Sequence, residues 1–333
     1  MNRKRLVLIS AIAIILLGLY FIIDNTILMP PVDKSLSHTI IKDNKVGVVD
    51  ANGNVKETLE YQQIQNFSEG FAAAQKAGKW GYIDSEGKEV IPFQYDAADA
   101  FSKGIAAVQL NGKWGMIDTT GKSVIDSKYS LVQKMTDDDL ALFVTNLKCG
   151  YMDKDGKEVI PAKYDQARDF SEGVAAVAVG NKWGLIDTEG NEIIKPQYDN
   201  LTTSSDEMIG FTKAGKSGFV NKSGEVVIEA KYEVVGKFAE TVAPVKENGN
   251  WSYIDKTGNT AIAGPFEEAA SFSEEFATVK SNGFWGYIDN KGNKKLDYIY
   301  TFAGDFKGGL ANVNYQGKWM YINKRGKEIW KSN

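Results

Sequence analysis

One interval governs this chain: from Lys45 onward a short pattern returns about every 34 residues. Val46, Trp80, Trp114, Cys149, Trp183, Ser217, Trp251, Trp285 and Trp319 are 34 residues apart at every step except one gap of 35. A glycine usually follows, at Gly47, Gly81, Gly115, Gly150, Gly184, Gly218 and Gly286, with Ser252 and Met320 departing. Seven residues beyond each Trp position stands another glycine: Gly53, Gly87, Gly121, Gly156, Gly190, Gly224, Gly258, Gly292 and Gly326. Three residues before each of these comes Asp or Asn, from Asp50 and Asp84 through Asn221 to Asn323. Self-similarity at this period calls for a small supersecondary unit that is stabilised by its own copies.

The content of the unit predicts β-structure. Between Phe101 and Ile125 three strand-like runs stand out, Ile105–Leu110, Trp114–Asp118 and Lys122–Ile125. Asn111-Gly112 joins the first two, a dipeptide suited to a tight hairpin because both residues tolerate positive φ. Asp118-Thr-Thr-Gly121 joins the next two: the Asp side chain can accept backbone N–H bonds, and glycine enters the left-handed region without a Cβ penalty. Helical repeats of the same period are excluded, since glycines would fall inside every helix at about 1 kcal/mol each, and apolar residues run at spacing two. The expected fold class is therefore all-β, a tandem array of three-stranded antiparallel meanders. Both faces of the central strand are apolar, so neighbours must stack on each side, and Trp80, Trp114, Trp183, Trp251, Trp285 and Trp319 are expected to form the inter-repeat core. The connector has its own signature, Tyr95-Asp96, Tyr164-Asp165, Tyr198-Asp199 and Tyr232-Glu233, followed by Phe67-Ser-Glu-Gly70 and its equivalents. The one extra residue falls within Thr136–Leu140, an acidic loop tip. Nine complete meanders, with no half-unit at either end, predict an open, twisted β-solenoid. A propeller-like ring, with the connector supplying a fourth strand, is the alternative.

Before the repeats, Arg3, Lys4 and Arg5 precede an apolar run from Leu6 to Ile23. At about 1.5 Å per residue that run spans roughly 27 Å, close to the hydrocarbon thickness of a bilayer. No small-x-small site follows it, which predicts an uncleaved transmembrane signal anchor. Residues 1–5 are expected in the cytoplasm, 6–23 across the membrane, 24–38 as a juxtamembrane linker and 39–333 as an extracytoplasmic repeat domain.

Composition narrows the chemistry. Lys and Arg total 39 against 43 Asp and Glu, for a net charge of −4, which argues against a nucleic-acid partner. With one histidine, His38, and one cysteine, Cys149, no metal cluster or Cys-His pair is expected within the repeats, and Cys149 reads as a small buried hydrophobe. No nucleophile elbow, phosphate loop or zincin motif occurs. Asp137-Asp138-Asp139 reads as a solvated loop. Asp153-Lys-Asp155-Gly156 lacks the later ligands of a calcium loop. No catalytic residue, cofactor or metal is expected.

Lys79-Trp80-Gly81-Tyr82-Ile83-Asp84, Lys113-Trp114-Gly115-Met116-Ile117-Asp118 and Lys182-Trp183-Gly184-Leu185-Ile186-Asp187 resemble the bacterial WG-repeat family, over about residues 39–330. The resemblance implies a structural or interaction module, often on exported proteins, with no assigned active site. The expected function is a membrane-anchored, non-enzymatic scaffold for protein or cell-wall partners. One alternative is a glycan-binding module in which Tyr95, Tyr164, Tyr198 and Tyr232 stack on sugars; another is a structural spacer.

Overall fold

A computed structural model describes residues 38–42, 45–49, 55–59, 61–84 and 86–332. The predicted transmembrane segment, the linker before His38, and Gly53 lie outside these residues. Among the described residues no helix is long and apolar enough to cross a membrane. The described residues form nine antiparallel sheets that follow one another in sequence order. The first has three strands, His38–Lys42, Lys45–Val49 and Val55–Leu59; each of the other eight has four.

The third sheet shows how residue chemistry builds the unit. Its strands are Ala97–Ala98, Ile105–Leu110, Lys113–Asp118 and Ser123–Tyr129, paired in that order. Asn111 and Gly112 turn the hairpin with φ of 52° and 74°. At the next turn Asp118 Oδ1 accepts the N–H groups of Thr120 at 2.9 Å and Lys122 at 3.0 Å, and Gly121 sits at φ 84°. Three strands per unit is corrected to four: the connector supplies the extra one. Ala97 and Ala98 pair with Gln109 and Val108, flanked by Asp96 N–H on the Gln109 carbonyl and Asp99 N–H on the Ala107 carbonyl. A connector lying along the free edge of Ile105–Leu110 satisfies the backbone groups of both, which an isolated meander would leave open.

Successive sheets pack face to face. One buried cluster joins Ala73, Tyr82, Ile91 and Tyr95 of the second sheet to Ala98, Phe101, Ala106, Val108 and Ile117 of the third. Its centre is Tyr82, whose ring lies 4.7 Å from that of Phe101 and whose hydroxyl donates to the Asp99 carbonyl at 2.7 Å. Tyr151, Tyr253 and Tyr287 repeat this bond across later joints, to the carbonyls of Arg168, Ala270 and Gly304. The core position is thus two residues beyond the tryptophan, at mid-strand. Trp80, Trp114, Trp183, Trp251, Trp285 and Trp319, expected at the centre of the packing, are half-buried. Trp80 pairs with Tyr95 beside the hairpin end of its strand and packs only on the edge of the cluster that Tyr82 centres.

The glycine after the tryptophan answers to a bulge. Register slips between Trp80 and Tyr82 against the fourth strand, bringing that strand so close that a Cβ on Gly81 would lie 2.6 Å from the Ile91 carbonyl oxygen. The departures are compensated. Where Ser252 replaces glycine, Gly264 stands on the facing strand, and a Cβ there would run into the Trp251 carbonyl oxygen opposite it. Where Met320 replaces it, the last strand pairs Met320 with Lys331 and Tyr321 with Trp330 with no slip between them, so a side chain has room.

Candidate functional site

The lysine and aspartate of the repeat pattern form a single clamp between sheets. Lys182 in the fifth sheet holds Asp199 at 2.6 Å, and Asp199 Oδ2 accepts the Ala214 N–H at 2.8 Å from the hairpin tip of the sixth. Lys79 with Asp96 and Lys148 with Asp165 repeat the pair at 2.6 Å, and in each case the lysine hydrogen bond holds the carboxyl below its ordinary range. At the other end of the sheets a carboxylate from one connector fills the turn of the next. Glu274 accepts the N–H groups of Gly308 at 2.6 Å and Gly309 at 3.0 Å, and Glu172 accepts that of Glu207 at 2.9 Å. Beside it run serine bonds from one connector to the next, such as Ser205 Oγ to the Phe238 carbonyl at 2.7 Å.

The turn glycines serve the same joints. Gly87, Gly121, Gly156, Gly190, Gly224, Gly258, Gly292 and Gly326 have φ between 74° and 87°, and from Gly121 onward each faces an Ile or Leu of the preceding sheet. Tyr95, Tyr164, Tyr198 and Tyr232 are only 3–5% exposed. Each lies in an inter-sheet cluster, so its faces are not open for stacking on a sugar; packing against the next unit has claimed them. Cys149 is buried in one of these clusters, with its thiol pushed up to about 11 by burial. In the acidic tip Asp138 Oδ1 accepts the Gly173 N–H at 2.7 Å, giving that residue a place in the inter-sheet ladder.

Chemistry left free by the repeat pattern lies at positions where the units differ. Two neighbouring connector positions carry Asp99, Lys134, Asp169 and Lys237 in four different sheets. Loss of hydration raises the carboxyl of Asp169, which also feels Lys134, Asp99 and Lys237; Asp99 is raised by the same cause, with Lys134 acting against it. Asp169 is thus within electrostatic reach of charged side chains from the connectors of three other sheets. Asp169 Oδ1 is buried there with no hydrogen-bond partner among the described residues. Sequence reading passed over these residues because no motif contains them. The available signal was their variation, one or two residues before the connector phenylalanine or its equivalent Met135, within a pattern otherwise held constant.

Comparison with known proteins agrees with this construction. The chain shares its fold with a eukaryotic initiation factor, at a TM-score of 0.62 and 11% identity, covering 88% of this chain and 94% of that one. Weaker likenesses are to the dihydro-heme d1 dehydrogenase NirN (0.48, 12% identity, 91% and 75% covered) and to BamB from Moraxella catarrhalis (0.40, 13%, 79% and 96%). A search of curated proteins finds no match. The WG containing repeat family matches residues 47–80, 80–114, 114–149, 150–183, 183–216, 218–251, 251–283 and 285–319. With successive matches running through most of its length, with the lysine-aspartate and turn-glycine positions traced to joints between sheets and the Trp-Gly pair to a bulge within the sheet, the chain belongs to the WG-repeat family.

Proposed function

We propose that this is a membrane-anchored, extracytoplasmic binding scaffold without enzymatic activity, whose partner docks on the mixed-charge connector cluster. One observation carries the reading: the shared polar residues of the repeat are spent on its turns and on joints between sheets, while Asp99, Lys134, Asp169 and Lys237 are free of that duty, Asp169 lies within electrostatic reach of the other three, and Asp169 Oδ1 is buried without a hydrogen-bond partner among the described residues. The apolar run Leu6–Ile23 supports anchoring, with the basic residues before it on the cytoplasmic side.

The finer architecture belongs to the same proposal. Of the two expected arrangements, the closed, propeller-like ring is better supported than the open solenoid. Tyr321 of the ninth sheet is only 3% exposed, and burial raises its hydroxyl pKa, although no later sheet follows it among the described residues. Closure against the first sheet would supply that cover.

The test is site-specific photocrosslinking in the native cell from positions 134 and 237 of the full chain. A discrete adduct that disappears in the Asp99→Lys, Asp169→Lys variant is expected. Crosslinks from neither position, in cells where the domain is folded and protease-accessible from outside, would refute the docking site.

A further inference from the structure

The lysine-aspartate clamp is built in the same way in the second, fourth and fifth sheets. One carboxylate oxygen takes the lysine, and the other takes a backbone N–H at the next hairpin tip. Asp165 Oδ1 lies 2.6 Å from Lys148 Nζ while its Oδ2 accepts the Gly180 N–H at 2.8 Å. Asp199 joins Lys182 to Ala214 likewise, and Asp96 joins Lys79 to Gly112, at 2.6 and 3.2 Å. From the second sheet to the eighth, only the third keeps the lysine without the acid: Lys113 stands there with Ser130. In the eighth both have changed, to Phe284 and Thr301.

Backbone register sets the remaining groups of this joint as in its sisters. Trp114 pairs with Tyr129 as Trp80 pairs with Tyr95, so Lys113 neighbours Ser130 across the strands as Lys79 neighbours Asp96. The Ser130 N–H donates to the Val144 carbonyl at 2.9 Å, and the Asp96 N–H to the Gln109 carbonyl at 2.8 Å. The hairpin tip beyond, Asn146-Leu147, has φ of 48° and 63°, close to the 52° and 74° of Asn111-Gly112. Among the described residues Lys113 has no ion pair, and neither the Ser130 hydroxyl nor the N–H groups of Asn146 and Leu147 make a hydrogen bond. The acids of the flanking joints are committed, Asp96 to Lys79 and Asp165 to Lys148. Leu147 adds an apolar element. Sister tips carry Gly112, Gly215 and Gly249 at its position, whereas Leu147 is 69% exposed.

We propose that the joint between the third and fourth sheets binds the terminal carboxylate of a peptide whose last side chain is apolar. One carboxylate oxygen lies on Lys113, the other on the tip N–H groups of Asn146 and Leu147, and the peptide's last side chain rests against Leu147. The sister joints identify the chemistry, since what bridges lysine and tip in each is one planar carboxylate with an oxygen for each partner. A carboxylate from outside meets the same charge-assisted donors, and successive N–H groups of a turn form a seat for an anion. None of these groups belongs to the mixed-charge connector cluster, so this site is additional to the one proposed there.

Full-length protein in detergent is titrated calorimetrically with N-acetyl-alanyl-alanyl-leucine as the free acid, with the same tripeptide as its terminal amide, and with sodium phosphate. The acid should bind, and the amide roughly tenfold more weakly. Ser130→Asp copies the sister joints and supplies the carboxylate from within, so it should weaken binding of the acid by a similar factor while the thermal midpoint holds or rises. Lys113→Gln should weaken it too. Equal binding of acid and amide overturns the proposal, as does undiminished binding of the acid by either variant, or no binding of it by wild type. Phosphate binding without tripeptide binding also overturns it, leaving a surface anion site with no peptide partner. Crosslinks from positions 134 and 237 that persist in the Ser130→Asp protein keep a failure here distinct from a failure of the scaffold reading.

Discussion

Gly258 and Gly292 occupy the same turn in consecutive sheets, with φ of 85° and 80°, yet their surroundings differ. A Cβ on Gly258 would find the nearest atom of Ile228 at 3.5 Å, ordinary contact; one on Gly292 would lie 2.7 Å from the Ile262 γ2 methyl. Gly258→Ala should therefore cost only the left-handed penalty, about 1–2 kcal/mol. Gly292→Ala should cost that amount plus an overpacking charge of about 1–3 kcal/mol, because Ile262 is clamped in an inter-sheet cluster and cannot swing away. Urea titrations followed by tryptophan fluorescence would measure both, with a constant m-value confirming that the unfolding unit is unchanged. Combining Gly292→Ala with Ile262→Ala should give a loss smaller than the sum of the two separate losses, since the shortened side chain vacates the space the new methyl needs. Equal losses for the two glycine variants would refute the idea that these turns pack on the preceding sheet, leaving φ as their only requirement.

Three further outcomes are expected. Leu147 occupies a hairpin position at φ 63° and is 69% exposed, so Leu147→Gly should raise stability by roughly 0.5–1 kcal/mol, the left-handed penalty less glycine's extra chain entropy; a loss in denaturant titration would contradict this. Desolvation raises the folded-state pKa of Asp99, so the ionised carboxylate destabilises the fold at neutral pH and protonation relieves it as pH falls through that raised value. Asp99→Asn should then stabilise at pH 7, with the gain shrinking towards acid pH in thermal melts; a gain that grows on acidification would reverse the sign. Cys149, buried with its pKa near 11, should resist a thiol reagent at pH 8 in the native protein and react fully in urea; fast native labelling would mean the cluster around it opens.

What could be read in the sequence was local in origin. Asp118 and Gly121 specify their turn within four residues, and Asn111-Gly112 its hairpin within two, so the all-β class and the succession of units follow from short-range chemistry. The fourth strand could not be found this way. Ala97–Ala98 is too short for any periodicity and exists only because Gln109 and Val108, a dozen residues on, offer an edge. The tryptophans misled for a related reason: size and recurrence mark a residue as important to packing without saying whether it lies at the centre or the margin. Tyr82 and Tyr95 differ little as residues, and only the bulge and the next sheet decide that one centres a cluster and the other is roofed over beside Trp80.

A repeat protein also separates fold from function in a way that single domains do not, because each unit is a control for the others. Some departures from the pattern come with structural answers: Ser252 with Gly264 across from it, Met320 with a strand that lacks the bulge, and Ser217 with Thr212, hydroxyls 3.1 Å apart. Cohesion explains these, and nothing outside the chain need be invoked. Phe284, Ile299 and Leu147 have no such answer. Each replaces a residue that the sister sheets show to be workable, exposes apolar surface to water, and in the case of Leu147 adds backbone strain. A substitution that costs the fold something and returns nothing to it is retained for an interaction beyond the chain, and such residues are where binding should be sought in any array of this family.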